Sequence, residues 1–233
     1  MRIFGKGFNY SQDGPGNRLV YHLCGCNMRC PWCSNPEGLD GTGGLFYTVE
    51  EIVEECANCQ PLFFNGGGVT FTGGECTLQE KELLQVLRLL RAEGIHTAIE
   101  TNGTSKELPE IAEYVDYLMM DFKHYDTEAL RRYTGVGNEV LIKNFAYFCR
   151  SGRQLHIRIP LIKGFNIDDP AAFAMRFIKY DTSNVVFEFL PYHEYGKEKW
   201  KTEYQVTDGF VPLETVENFK NVFTMHGLTL IST

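Results

Sequence analysis

Six short runs rich in β-branched and aromatic residues, at positions 18–23, 68–72, 96–100, 117–121, 155–161 and 185–190, alternate with segments of helical periodicity. Those segments are 48–59, 78–93, 106–114, 139–151, 170–180 and 213–226. Strands separated by helices require parallel pairing through right-handed crossovers, because the helix must carry the chain back before the next strand can run the same way. The segment 78–93 has the clearest stripe, with Leu83, Leu84, Leu87 and Leu90 at helical spacing and Gly94 placed to stop it. Six units fall short of the eight that close a barrel of ~250 residues. The expected architecture is therefore an α/β fold, an open, partial (β/α)6 barrel with its site at the C-terminal ends of the strands. A doubly wound sheet is the alternative, since the number of units does not set curvature. With 233 residues, a single domain over 1–233 is expected, and no repeat, low-complexity tract or long charge run marks a boundary within it.

The chain is 43% apolar and 13% aromatic, enough to build a sizeable core and to exclude disorder as the main state. Its 22 Lys and Arg against 30 Asp and Glu leave a net charge of −8, and the isoelectric point is near 5.3. That balance argues against an electrostatic grip on nucleic acid or an anionic membrane, so neither is an expected partner. Residues 1–16 hold no signal-peptide core, and nowhere do ~18 apolar residues run together, so a cytoplasmic location is expected.

Of the eight cysteines, Cys26, Cys30 and Cys33 form C-x3-C-x2-C in the loop after the first predicted strand. Zinc normally completes a tetrahedron, and no fourth partner follows at finger spacing. A [4Fe–4S] cubane held by three cysteines would leave one iron open to a small ligand. A structural zinc loop or inert thiols is the plainer reading. The second strand ends in Thr72-Gly73-Gly74-Glu75, where glycines allow close approach to the backbone and a carboxylate can accept from an ammonium group; an ordinary strand-to-helix turn would look the same. Further motifs stand at or beside other strand ends: Asp13-Gly14-Pro15-Gly16-Asn17-Arg18, Glu100-Thr101-Asn102-Gly103, Met119-Met120-Asp121-Phe122-Lys123, and Leu190 to Lys197 with Pro191-Tyr192-His193.

The cysteine spacing, with the aromatic Trp32 just before the third cysteine, resembles the radical S-adenosylmethionine (SAM) superfamily. With the other motifs, the chain resembles that superfamily's glycyl radical enzyme activating enzymes, of the pyruvate formate-lyase activase type, from about Asp13 to the last helix. The resemblance implies a partial barrel of TIM type and two cofactors: one [4Fe–4S] cluster on Cys26, Cys30 and Cys33, and SAM. Reductive cleavage of SAM would yield a 5′-deoxyadenosyl radical that takes a hydrogen atom from a glycine Cα of a partner glycyl radical enzyme. A flavodoxin- or ferredoxin-type protein would supply the electron. It further implies that Gly73, Gly74 and Glu75 meet the SAM amine, that Trp32, Ser34 and His193 lie near the nucleoside, and that Arg158 stands beside the SAM carboxylate. Asp121 and Lys123 would approach the ribose and methionine groups, with Lys123 counted among the catalytic residues. Glu100, Thr101, Met119 and Asp121 match a monovalent-cation site, for which hard oxygen ligands are suited. Asp13, Gly14, Pro15 and Gly16 would line the entry for the partner's glycine-bearing segment.

Plainer readings of these residues are a same-face ion pair for Asp121 and Lys123, a packed or surface histidine for His193, an ordinary turn for 13–16, and core or surface thiols for Cys56 and Cys59. Arg158 alternates with Ile157 and Ile159 and inside a barrel needs an anion. Three features depart from the family pattern. The stretch 34–69 carries only Cys56 and Cys59, with no room for further clusters; Cys76 follows Glu75; and Glu100 replaces the more usual aspartate. Other functions consistent with parts of the pattern are anaerobic ribonucleotide reductase activation, radical SAM chemistry on a small molecule, and a non-catalytic iron–sulfur carrier or zinc-stabilised binding module.

Overall fold

A computed structural model describes residues 1–231. The six expected strands are all present, as β2 (Asn17–Leu23), β4 (Gly68–Gly73), β5 (Thr97–Thr101), β6 (Tyr117–Asp121), β7 (Leu155–Leu161) and β8 (Val185–Pro191). Two strands are additional. β1 (Arg2–Tyr10) pairs antiparallel with β2, and the two-residue β3 (Leu45–Phe46) pairs antiparallel with β1. The sheet is thus not wholly parallel, as the sequence had implied. Gly5, Gly7 and a run of exposed residues, Lys6 to Phe8, hide β1 from a pattern reading, since glycine weakens strand propensity and no buried face alternates there. The helices are α1 (Val49–Cys59), α2 (Glu80–Ala92), α3 (Leu108–Ala112), α4 (Thr127–Thr134), α5 (Glu139–Ser151), α6 (Pro170–Phe177) and α7 (Leu213–Met225). Of these only α4 was unexpected.

The chain forms two compact units, each made of three segments. The first comprises Met1–Asn27, Asn35–Thr101 and Ser105–Met119; the second comprises Met28–Ser34, Asn102–Thr104 and Met120–Thr233. In the first, strand order is β3-β1-β2-β4-β5-β6, and in the second β7 lies beside β8. Strands β2, β4 and β5 are parallel, as are β7 and β8.

Local chemistry sets the elements of the first unit. Thr48 and Glu51 form a capping box that opens α1, with Thr48 Oγ1 accepting from the Glu51 amide at 3.1 Å and Glu51 Oε2 accepting from the Thr48 amide at 2.8 Å. Leu83, Val86, Leu87 and Leu90 bury the inner stripe of α2, and left-handed Gly94 (φ 68°) follows its end. The second unit is built on phenylalanine. Phe177 meets Phe122, Phe145 and Phe187 at centroid distances of 4.7, 5.1 and 4.8 Å, and Phe223 meets Phe187 and Phe189 at 5.4 and 4.8 Å. Such ring pairs, edge-on in all but the tilted Phe177–Phe187, add to the large area each ring buries. Among the described residues no helix is long and apolar enough to cross a membrane.

Candidate active site

In the first unit, the segment leading into the cysteine loop and the glycine pair are one hydrogen-bonded structure. Parallel register places Leu23 opposite Gly73. Beyond the strands the pairing continues, with the Gly74 amide donating to Leu23 C=O at 2.8 Å and the Glu75 amide to Gly25 C=O at 2.7 Å. A Cβ on Gly73 would fall 2.2 Å from the Leu23 nitrogen, and one on Gly74 would fall 2.2 Å from the Gly25 oxygen. Neither position accepts a side chain. The Gly25 and Cys26 amides donate in turn to Gly38 C=O (2.8 Å) and Leu39 C=O (3.2 Å), which fixes the backbone that presents Cys26.

Glu75 is buried at 2% exposure, yet its Oε1 accepts three hydrogen bonds, from the Thr77 amide (3.1 Å), Thr77 Oγ1 (2.6 Å) and Thr101 Oγ1 (2.6 Å). It therefore also caps the short 3-10 turn Cys76–Gln79, so the plain turn and the oriented carboxylate coexist. Thr101 and Glu100 are drawn to this same element, because Thr72 Oγ1 donates to Glu100 Oε2 at 3.2 Å and Cys76 Sγ lies 3.5 Å from Glu100 C=O. Met119 is buried on β6.

The loop of Asp13, Gly14, Pro15 and Gly16 lies at the other end of β2. The fully buried Arg18 organises it, donating to Pro15 C=O (3.0 Å), Val69 C=O (2.7 Å) and Thr70 Oγ1 (2.7 Å), while Thr70 Oγ1 donates to Asp13 C=O (2.7 Å). Asn9 donates to the Asp13 carboxylate. Gly14 and Gly16 adopt positive φ, 115° and 69°.

In the second unit, the Cys33 amide donates to Cys30 C=O at 3.1 Å. Pro31 supplies the preset φ of this tight turn, which holds the two cysteines on one short loop. The Arg29 amide is bonded to Thr134 C=O at 2.8 Å. Trp32 stands edge-on to Phe165 at 4.9 Å and to Tyr133 at 6.5 Å, and packs on a small core of Ile162, Tyr192 and Val206. Among the described residues no three His, Cys, Asp or Glu side chains are gathered to hold a single metal ion.

A family model described as the radical SAM superfamily matches residues 20–176, more than half of the chain. The chain belongs to the radical SAM superfamily. It is 35% identical over 226 residues to the pyruvate formate-lyase 1-activating enzyme of Escherichia coli, covering 92% of each chain. It is 28% identical to the 4-hydroxyphenylacetate decarboxylase activating enzyme of Clostridioides difficile, with 93% of this chain and 90% of that protein covered. Among solved structures it matches a domain of pyruvate formate-lyase-activating enzyme from Bacteroides vulgatus, with a TM-score of 0.61 and 26% identity over 71% of this chain and 98% of that one. These likenesses place it with the superfamily's glycyl radical enzyme activases.

The charged residues of this radical SAM chain meet on β6, β7 and β8 within the second unit. Lys123 Nζ contacts Asp121 Oδ2 at 2.6 Å, and Arg158 Nε lies 3.8 Å from Asp121 Oδ1. Burial alone would raise the Asp121 carboxyl, but Lys123 and Arg158 outweigh it and hold it below the usual carboxylate range. Asp121 thus gives Arg158 the anion that its alternation demanded. Asp121 Oδ1 is nevertheless buried without a hydrogen bond among the described residues, a polar atom suited to a ligand hydroxyl or amine.

His156 and Glu188, which sequence reading missed, approach at 3.1 Å on neighbouring strands. Their signal was present in the alternation of β7 and β8, where His156 and Arg158 share one face and Glu188 is in register with Arg158. His193 is exposed and stacked on Tyr195 at 4.3 Å. Ser34 is half-buried. Three thiols on one loop, an oriented carboxylate at Glu75 and half-buried cations at Lys123 and Arg158 are donor types that suit the superfamily's two cofactors.

Proposed function

We infer that this chain is an activating enzyme that takes a hydrogen atom from a glycine Cα of a partner glycyl radical enzyme. The observation that carries this reading is the 35% identity to a pyruvate formate-lyase activating enzyme across 92% of both chains. When bound, the reduced cluster and SAM supply a one-electron cleavage of the sulfonium coupled to abstraction of that hydrogen atom. Cys26, Cys30 and Cys33 hold the cluster through three thiolates. Glu75, fixed by Thr77 and Thr101, accepts from the SAM amine beside the tightly packed Gly73 and Gly74. Arg158 and Lys123, both paired with Asp121, face the carboxylate and ribose end, and Trp32, Ser34 and His193 border the nucleoside. Glu100, Thr101, Met119 and Asp121 complete a monovalent-cation site. The electron comes from a flavodoxin- or ferredoxin-type protein. The loop of Asp13, Gly14, Pro15 and Gly16 contacts the partner. That contact is with the partner's glycine-bearing segment, whose entry the loop lines.

A glycine Cα–H is unshielded by a side chain, and the radical left behind is delocalised over two amides, so contact geometry selects it. The test is anaerobic turnover of the reduced protein with SAM and a partner, or partner-derived peptide, carrying α-dideuterated glycine. One deuterium per 5′-deoxyadenosine is the expected mass shift. Unlabelled 5′-deoxyadenosine together with a demonstrated partner radical rules out direct abstraction.

Glu75 has its own test. Glu75→Gln keeps the shape and the Thr contacts but removes the charge that meets an ammonium group. A charge-assisted hydrogen bond of about 1.5–3 kcal/mol corresponds to roughly 10–150-fold weaker SAM binding. Equilibrium dialysis on cluster-loaded protein measures it, and an unchanged affinity removes Glu75 from the SAM site.

A further inference from the structure

The segment that follows β8 closes on the end of the cysteine loop, and no motif reading absorbed its last residue, Trp200. The Trp200 indole N–H donates to the backbone carbonyl of Cys33 at 3.0 Å, across 167 residues of sequence. Lys199 Nζ donates to the next carbonyl, that of Ser34, at 3.3 Å. Gly196 is buried against the same peptide, so that a Cβ there would lie 2.4 Å from Ser34 Cα and 2.6 Å from its oxygen. A 3-10 turn over Lys197–Lys199 sets the spacing of these three contacts.

The indole is itself held from behind. Tyr204 stands edge-on to Trp200 at 5.7 Å, the Tyr204 and Tyr192 hydroxyls are 2.9 Å apart, and Tyr192 belongs to the small core on which Trp32 packs. Indole N–H is a donor only, so a fixed indole edge aimed at one carbonyl locks the orientation of that peptide. Both tryptophans of the chain therefore bear on Cys33, Trp32 through the covalent chain and Trp200 through space.

We propose that Trp200 is a positioning residue for the third cluster cysteine: with Gly196 it fixes the Cys33 and Ser34 peptides before any cluster binds, so that the loop is pre-shaped for iron. This rests on the reading that Cys26, Cys30 and Cys33 hold the cluster. Preorganised ligands bind more tightly because less ordering remains to be done on loading, and groups outside the ligand set tune a metal site in this way.

The test uses Trp200→Phe, which keeps a ring against Tyr204 but has no N–H. In the cluster-free chain, amide hydrogen exchange over residues 28–34 is expected to quicken about fivefold, the equivalent of one neutral hydrogen bond, while exchange in α5 and α7 is unchanged. After anaerobic reconstitution, release of iron to a chelator is expected to quicken by a similar factor and the electron paramagnetic resonance spectrum of the reduced cluster to shift. Gly196→Ala, which presses on Ser34, is expected to act in the same direction and more strongly. If wild-type protein takes up no iron–sulfur cluster, the underlying assignment fails. If it loads and Trp200→Phe matches it in exchange and iron release, or exchange rises throughout α5 and α7 as well, the positioning role is overturned. Should the variant not fold, the wild-type chain decides: one of its two indole N–H resonances must be protected from exchange, and protection of neither overturns the proposal.

Discussion

Alanine at Cys26, Cys30 or Cys33 is expected to leave anaerobically reconstituted protein without a cluster, while alanine at Cys24, Cys56, Cys59, Cys76 or Cys149 leaves iron content near that of wild type. Each of the first three removes one of only three protein ligands. The other five lie outside that spacing, and burial favours their neutral thiols over the thiolates that iron binds. Burial pushes Cys56 up to about 12 and Cys149 up to about 11, and it raises the fully buried Cys76 well above the ordinary range. Cys24 and Cys59 are raised in the same direction, again first by burial. Cys56 packs with Tyr21 on the inner side of α1, its Sγ 3.7 Å from the phenol oxygen, so its replacement is a small packing loss of about 1 kcal/mol rather than a metal effect. Iron analysis and the absorbance of the reconstituted variants measure the division. Equal iron loss on replacing Cys56 or Cys59 would break it.

Gly74→Ala is expected to destabilise the cluster-free chain by about 3 kcal/mol, in the upper part of the range for overpacking, and to lower its Tm by roughly 6–12 °C. The added methyl would meet the Gly25 oxygen at 2.2 Å and the Gly38 oxygen at 2.6 Å. Both are backbone atoms, and they belong to the hydrogen-bonded run Gly38 to Gly25 to Glu75. Relief therefore requires the segment beside Cys26 to move, so iron loading should fall along with stability. Gly41 is the control, because a Cβ there has nothing within 4 Å and alanine should change stability by no more than ~0.5 kcal/mol. Urea unfolding of both variants, followed by iron analysis after reconstitution, reads the two effects. A Gly74→Ala chain as stable as wild type would mean that the close approach is not needed.

The six expected strands were legible because each is a short run rich in apolar residues, and their observed bounds lie within a residue of those expected. β1 was not, since its glycines and exposed residues give it no alternating face. α4 escaped for a related reason. Its eight residues bury only Leu130 and Thr134, and what ends it, the left-handed Gly135, follows a sequence otherwise rich in charge. The site divides in the same way. The cysteine loop and the Gly-Gly-Glu element are contiguous in sequence, so their spacing already states their chemistry. The partners of Glu75, the approach of His156 to Glu188, and the contact of Trp200 with Cys33 were out of reach.

What the sequence by itself determined is the set of local instructions: where strands alternate with helices, where glycine permits close approach, and which three thiols share a loop. The tertiary structure alone decided which distant groups those instructions meet. Strand register aligns Arg158 with Glu188, the connection after β4 turns Glu75 toward Thr101, and the chain beyond β8 returns to place an indole N–H on Cys33. Periodicity and spacing are properties of neighbouring residues, whereas these contacts depend on how segments tens of residues apart are brought together by a core that no single segment contains.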